Sequence, residues 1–134
     1  AVQQYMFQAS LAEAWGEAAA ADRFRHEKVE EMRHAERIVK HMLGLGVAPS
    51  ASQLRPVSHA GDLAGLLRLD QVLESELIEH YADALRFCVL VGDGDSEAFF
   101  RDLLAEERQH GEELSAWLVS LAPAVPRDLE RATF

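Results

Sequence analysis

Residues 30–36 read EEMRHAE and residues 106–112 read EERQHGE. Each holds a Glu three places before a His, Glu31 with His34 and Glu107 with His110. Residues three apart on an α-helix share a face. Each pair can therefore offer one cation a carboxylate oxygen and an imidazole nitrogen. Glu is common in this chain, so two such pairs carry little on their own. Their spacing carries more. A single shift of 76 residues places Glu30 on Glu106, Glu31 on Glu107, His34 on His110, Glu36 on Glu112 and Tyr5 on Tyr81. The chain is an internal repeat, and the repeated unit is larger than the motif.

The surrounding periodicity is helical. Val2, Tyr5, Met6, Ala9, Ala12 and Trp15 mark one face of a first helix over residues 1–15, interrupted by Gly16. A second helix from about Glu17 to Leu45 runs through Phe24, Val29, Met32, Ala35, Ile38, Val39 and Met42, and stops at Gly44 and Gly46. Residues 46–61 carry two prolines and three serines without sustained periodicity. Such a long connection suits a crossover that runs the height of a bundle. Asp62 can cap a third helix to about Val91, through Leu66, Leu69, Leu73, Leu77, Tyr81 and Leu85. GDGDS at 92–96 reads as a turn, and a fourth helix follows from about Ser96 to Leu121. The tail, residues 122–134, has room for a short fifth helix starting near Pro126. The expected fold is all-α, a four-helix bundle in which helices one and two echo three and four.

Bulk composition narrows the function. The 134 residues suit one domain, taken as 1–134, and 49% are hydrophobic. Formal net charge is −10 with no cluster of Lys and Arg, which argues against nucleic acid and in favour of cations. No apolar run is long enough for a membrane span, and no leader pattern opens the sequence, so a soluble, cytoplasmic protein is expected. Cys88, the single cysteine, lies in LRFCVLV and reads as a buried apolar residue. His41, His59 and His80 read as surface or partly packed histidines. HEKVE at 26–30 lacks the second His of a zinc protease, GDG follows no strand, and no nucleophile motif surrounds Cys88 or any Ser.

Glu74 stands two helical turns before Tyr81 on the same face. From a third helix it can bridge two metals held by Glu31 with His34 and Glu107 with His110. One Glu from each of two helices and Glu-x-x-His from each of the other two is the known ligand scheme of ferritin-like di-metal carboxylate bundles. Five of those six ligands occur here in the required helix order. Under the repeat, the mate of Glu74 falls three places before Ala1, inside a helical pattern that has no capping residue ahead of it. The expectation is a first helix truncated at its N-terminus, with the sixth ligand upstream.

At family level the sequence resembles the bacterioferritins almost end to end. The resemblance rests on QQYMFQA and AWG in the first helix, HEKVEEMRHAERIVKHMLGLGVAP in the second, LLRLDQVLE in the third and LLAEERQHGEELSAWL in the fourth. It implies that Glu31, His34, Glu74, Glu107 and His110 ligate a di-iron ferroxidase centre, with Glu74 and Glu107 bridging. It implies that Tyr5 stands close to that centre, in a position to aid electron transfer. His26 and Glu30 match an inner-surface iron site. Met32 matches a methionine that binds haem b from both sides of a twofold interface, and one residue's step from Glu31 turns it about 100° off the metal face.

The function so implied is iron storage: Fe(II) oxidised by O2 or peroxide, then kept as mineral inside a homo-oligomeric shell of 24 subunits built from twofold dimers. The alternatives are a ferritin-like di-iron oxidase or oxygenase without a cage, and a metal-free helical scaffold. Manganese and zinc accept the same ligands, so the residues alone do not name the metal.

Overall fold

The computed structural model describes residues 1–50 and 53–122. Its elements are α1 (Val2–Ala14), α2 (Ala18–Gly44), α3 (Leu63–Val91) and α4 (Gly94–Leu121). α1 packs along α2, and α3 packs along α4. The architecture is a four-helix bundle, with the expected long connection between α2 and α3. The proposed fifth helix near Pro126 lies outside the described residues. No helix among them is long and apolar enough to cross a membrane.

Local chemistry sets the helix ends. Gly16 takes the left-handed conformation, φ 79°, that turns α1 into α2, and Gly92 does the same between α3 and α4 at φ 72°. Asp62 caps α3 as expected, its Oδ1 accepting from Gly65 N at 2.7 Å. The last turn is shorter than the GDGDS reading. Asp93 accepts from Ser96 N at 3.0 Å, which lets α4 begin at Gly94 instead of Ser96. The crossover is tied to α1 by Gln4, whose side chain donates to Ser58 O at 2.7 Å and accepts from Ser58 N at 2.9 Å.

Two apolar clusters fill the bundle. Tyr5, Ala9, Ala12, Ala20, Ala21, Phe24, Leu66, Leu67 and Leu114 form one; Tyr81, Leu103 and Leu104 form the other, with Ile38, Ile78, Phe99 and Phe100 against it. Along α2, α3 and α4 the sequence positions between these clusters hold Glu31, His34, Glu74 and Glu107, all buried. A polar layer is thus sealed above and below by apolar packing. Buried aromatic and leucine side chains contribute roughly 1.5–3 kcal/mol each, which offsets the cost of that layer.

The apolar stripe is wider than the face that meets the core. Met6 is 53% exposed, Met32 51%, and Val29 and Trp15 are also exposed. These four residues do not join the core. In α1 the fully buried Gln8 stands among the core residues instead. Cys88 is buried, as expected. His59 and His80 are exposed, and His41 is half-buried between Ser96 and the ring of Phe99.

Candidate metal centre

α2 carries Glu31 and His34 inward, α3 carries Glu74, and α4 carries Glu107 and His110. One ligand atom from each of Glu31, Glu74, Glu107 and His110 lies within 4.8 Å of all the others. His34 closes the group from one side. Its Nδ1 is 2.9 Å from Glu107 Oε1 and 3.7 Å from Glu31 Oε1. His110 Nδ1 is 3.7 Å from Glu107 Oε2, and the two imidazole rings stack with centroids 5.5 Å apart. The structure therefore brings all five sequence-predicted ligands together.

These atoms are short of partners. Glu31 Oε1, His34 Nδ1, Glu74 Oε2, both Glu107 oxygens and His110 Nδ1 are buried without a hydrogen bond. The 2.9 Å approach of His34 to Glu107 is close in distance but lacks hydrogen-bonding geometry. An unpaired buried polar group ordinarily costs about 1–3 kcal/mol, and more when charged. Four such residues with ligand atoms within 4.8 Å of one another, and His34 beside them, make a candidate cation site, and oxygen and nitrogen donors together suit a first-row divalent metal.

Titration follows from the same crowding. The Glu107 and Glu31 carboxylates beside it raise the His34 imidazole to about 10. Glu107 raises His110 to about 9. Burial, with the Glu107 and Glu31 charges, pushes Glu74 up to about 8, against the hydrogen bond from Tyr5. Glu107 moves the other way, to about 2, because the flanking imidazoles outweigh its burial. Without metal the layer holds protons where cations would sit.

Outer contacts orient the candidate ligands. The Tyr5 hydroxyl donates a hydrogen bond to Glu74 Oε1. Burial and the Glu74 charge push the Tyr5 phenol far above its ordinary value, so it stays a neutral donor. His34 Nε2 lies 2.9 Å from Glu106 Oε2, and Arg37 holds Glu106 at 2.7 and 2.8 Å. A proton on Nε2 leaves the Nδ1 lone pair facing the centre, the usual way a carboxylate fixes a ligating His.

Of the remaining sequence candidates, His26 is exposed and Glu30, half-buried, pairs with Arg33, so neither joins the centre. Met32 points off the metal face, half exposed. Sequence reasoning missed the roles of Glu106, Gln8 and Asp70. The repeat matches Glu106 to Glu30 and carries no sign of its reach across to His34. Gln8 donates to Asp70 Oδ1 at 2.6 Å. Their positions, three residues after Tyr5 and four before Glu74, were the available signal.

A crossover bundle with carboxylates and histidines gathered between its helices defines a ferritin-like protein. The Ferritin-like domain family model matches residues 1–123. The chain belongs to this family, and within it to the bacterioferritins. It is 33% identical to the bacterioferritin of Rhodobacter capsulatus over 110 residues, covering 82% of this chain and 68% of that protein. With the Brucella melitensis bacterioferritin it shares 29% identity over 122 residues, 91% of this chain and 76% of the other. The solved Rhodobacter capsulatus bacterioferritin, described with a metal-free dinuclear site and haem iron in a crystallographic special position, superposes with a TM-score of 0.84 at 30% identity. That match covers 88% of this chain and 74% of the other.

Proposed function

We propose that residues 1–134 form a single ferritin-like domain that stores iron, oxidising Fe(II) to Fe(III) with O2 or peroxide at the centre formed by Glu31, His34, Glu74, Glu107 and His110. The observation that carries this reading is the set of six buried, unpartnered ligand atoms contributed by three helices. Family membership supports it independently. Two metal ions held by shared carboxylates can act on one oxidant together, each giving a single electron.

The chain's own groups have definite tasks. Glu74 and Glu107 are placed to bridge. Tyr5 orients Glu74 and offers a phenol beside the centre. Glu106 and Arg37 keep His34 in one tautomer. The net charge of −10 favours Fe(II) entry and retention of Fe(III).

The shell is a cytoplasmic 24-subunit assembly of twofold dimers. Its haem b would lie between two copies of Met32, whose half-exposed side chain stands one turn after the exposed Val29 on α2. His26 and Glu30 serve as an inner-surface iron site.

Replacing Glu107 by Ala tests the reading, because it removes both bridging oxygens at a position that is wholly buried. Stopped-flow absorbance should show fast Fe(II) oxidation lost by at least tenfold while circular dichroism still reports a folded bundle. Unchanged oxidation kinetics would refute the assignment. Light scattering on the same samples separates a shell from a small di-iron oxidase.

A further inference from the structure

The shift of 76 residues that superposes the ligands also superposes Tyr5 on Tyr81, and the ferroxidase reading gives Tyr81 no task. Tyr81 is buried, with 6% of its surface exposed. It lies two turns beyond Glu74 on α3, and its ring packs in the cluster with Leu103, Leu104, Ile38 and Ile78. Leu103 and Leu104 sit one turn before Glu107 on α4. Ile38 follows His34 by one turn on α2, and Ile78 follows Glu74 by one turn on α3. The phenol is therefore walled in by the immediate neighbours of ligands from three helices.

We propose that Tyr81 is a second redox-active tyrosine of the centre, the counterpart of Tyr5 in the internal repeat, and that it gives one electron and its phenolic proton to the O2 reduced there. This rests on the ferroxidase reading. A buried phenol among carboxylates has the required properties. Burial and the negative charges of Glu107, Glu31 and Glu74 hold its hydroxyl in the neutral form, so the electron leaves together with the proton. The ring continues outward through Phe100, 6.3 Å away between centroids, to Phe99 at a further 5.2 Å and the stacked His41 at 4.2 Å. Tyr5 has its own outward series through Phe24 at 6.3 Å and Trp117 at 5.2 Å.

The electrons balance. Reducing O2 to two waters takes four electrons and four protons. Two Fe(II) give two electrons, Tyr5 and Tyr81 give one each with their phenolic protons, and two protons come from solvent. The products are two Fe(III), two waters and two neutral tyrosyl radicals. Two further Fe(II) then return one electron to each radical, and solvent returns the protons. With one tyrosine the fourth electron must come from a further Fe(II); with neither, two Fe(II) carry O2 only to peroxide, which escapes.

The test uses the full chain in its natural assembly, mixed with limiting Fe(II) and excess O2 and frozen within milliseconds, comparing wild type, Tyr5→Phe, Tyr81→Phe and the double variant. Electron paramagnetic resonance, with ring-deuterated tyrosine as the marker, should show tyrosyl signal in wild type, about half of it in each single variant and none in the double. Peroxide release should be greatest in the double variant. In wild type, a spin trap followed by peptide mass spectrometry should place adducts on both Tyr5 and Tyr81, a readout that requires no variant to fold. Fe(II) oxidation with adducts on Tyr5 alone, and an unchanged radical yield in Tyr81→Phe, would overturn the proposal and leave the ferroxidase reading standing. No Fe(II) oxidation by wild type would remove both.

Discussion

Replacing Asp70 by Asn should make the metal-free bundle more stable at alkaline pH and change it much less in acid. Asp70 is fully buried on α3. Its Oδ1 accepts from Gln8, while its Oδ2 and Gln8 Oε1 are two acceptors with no donor. A proton on Oδ2 turns one of them into a donor, and burial pushes the Asp70 carboxyl up from 3.8 to about 7. Between those values the native state keeps a proton that the unfolded chain has lost, so stability falls as pH rises through the window. At about 1.36 kcal/mol per unit, the full penalty above pH 7 is on the order of 4 kcal/mol. Integrated from pH 5 to pH 8, it is about 2.5 kcal/mol. Asn keeps the carbonyl that accepts from Gln8 and adds a permanent N–H without charge. Urea unfolding of both proteins at pH 5 and pH 8 measures the difference. His34, His110 and Glu74 titrate in both chains, so their contributions largely cancel in the comparison. A difference between the two proteins that is the same at both pH values would refute the reasoning.

Loading the centre should release protons, since metal displaces them from ligands raised to about 10, 9 and 8 at His34, His110 and Glu74. At pH 7, calorimetry with Zn(II) in buffers of different ionisation enthalpy should report roughly two to three protons per centre, with affinity rising as pH rises. Release near zero would mean that the buried imidazoles are already neutral. Leu103, fully buried beside Tyr81 and one turn before Glu107, should cost about 3 kcal/mol on replacement by Ala. A loss below about 1 kcal/mol in chemical denaturation would show that this end of the bundle repacks freely.

Much of this was legible in the sequence because the repeat and the helix periodicity act on the same residues. Glu31, His34, Glu107 and His110 follow from one spacing, and Glu74 from its two-turn distance to Tyr81. Which apolar residues leave the core was harder to read. Met6, Val29 and Met32 satisfy the helical spacing as well as Phe24 does, yet a four-helix core consumes only part of each stripe. Gln8 and Asp70 were illegible for the opposite reason. Polar side chains are read as surface unless their partner is known, and here the partner lies 62 residues away. α4 starts two residues before the Ser96 that the sequence suggests, because an Asp cap and a Gly turn overlap in GDGDS and only the cap geometry decides between them.

The repeat also does less than it first suggests. It makes the two Glu-x-x-His pairs equivalent in sequence but not in their support. His34 is held through Glu106 by Arg37. The repeat mate of Glu106 is Glu30, which turns instead to Arg33. The mate of Arg37 is Glu113, a residue of the wrong charge to hold a carboxylate. Among the described residues His110 has no such hydrogen-bonded pair: Glu27, flanked by Arg23, lies near enough for its charge to act on the imidazole but does not bond to it. An imidazole fixed by an outer carboxylate is more basic and less free to rotate than one without. The two Glu-x-x-His pairs are therefore supported differently, and the difference comes from residues outside the candidate ligand set.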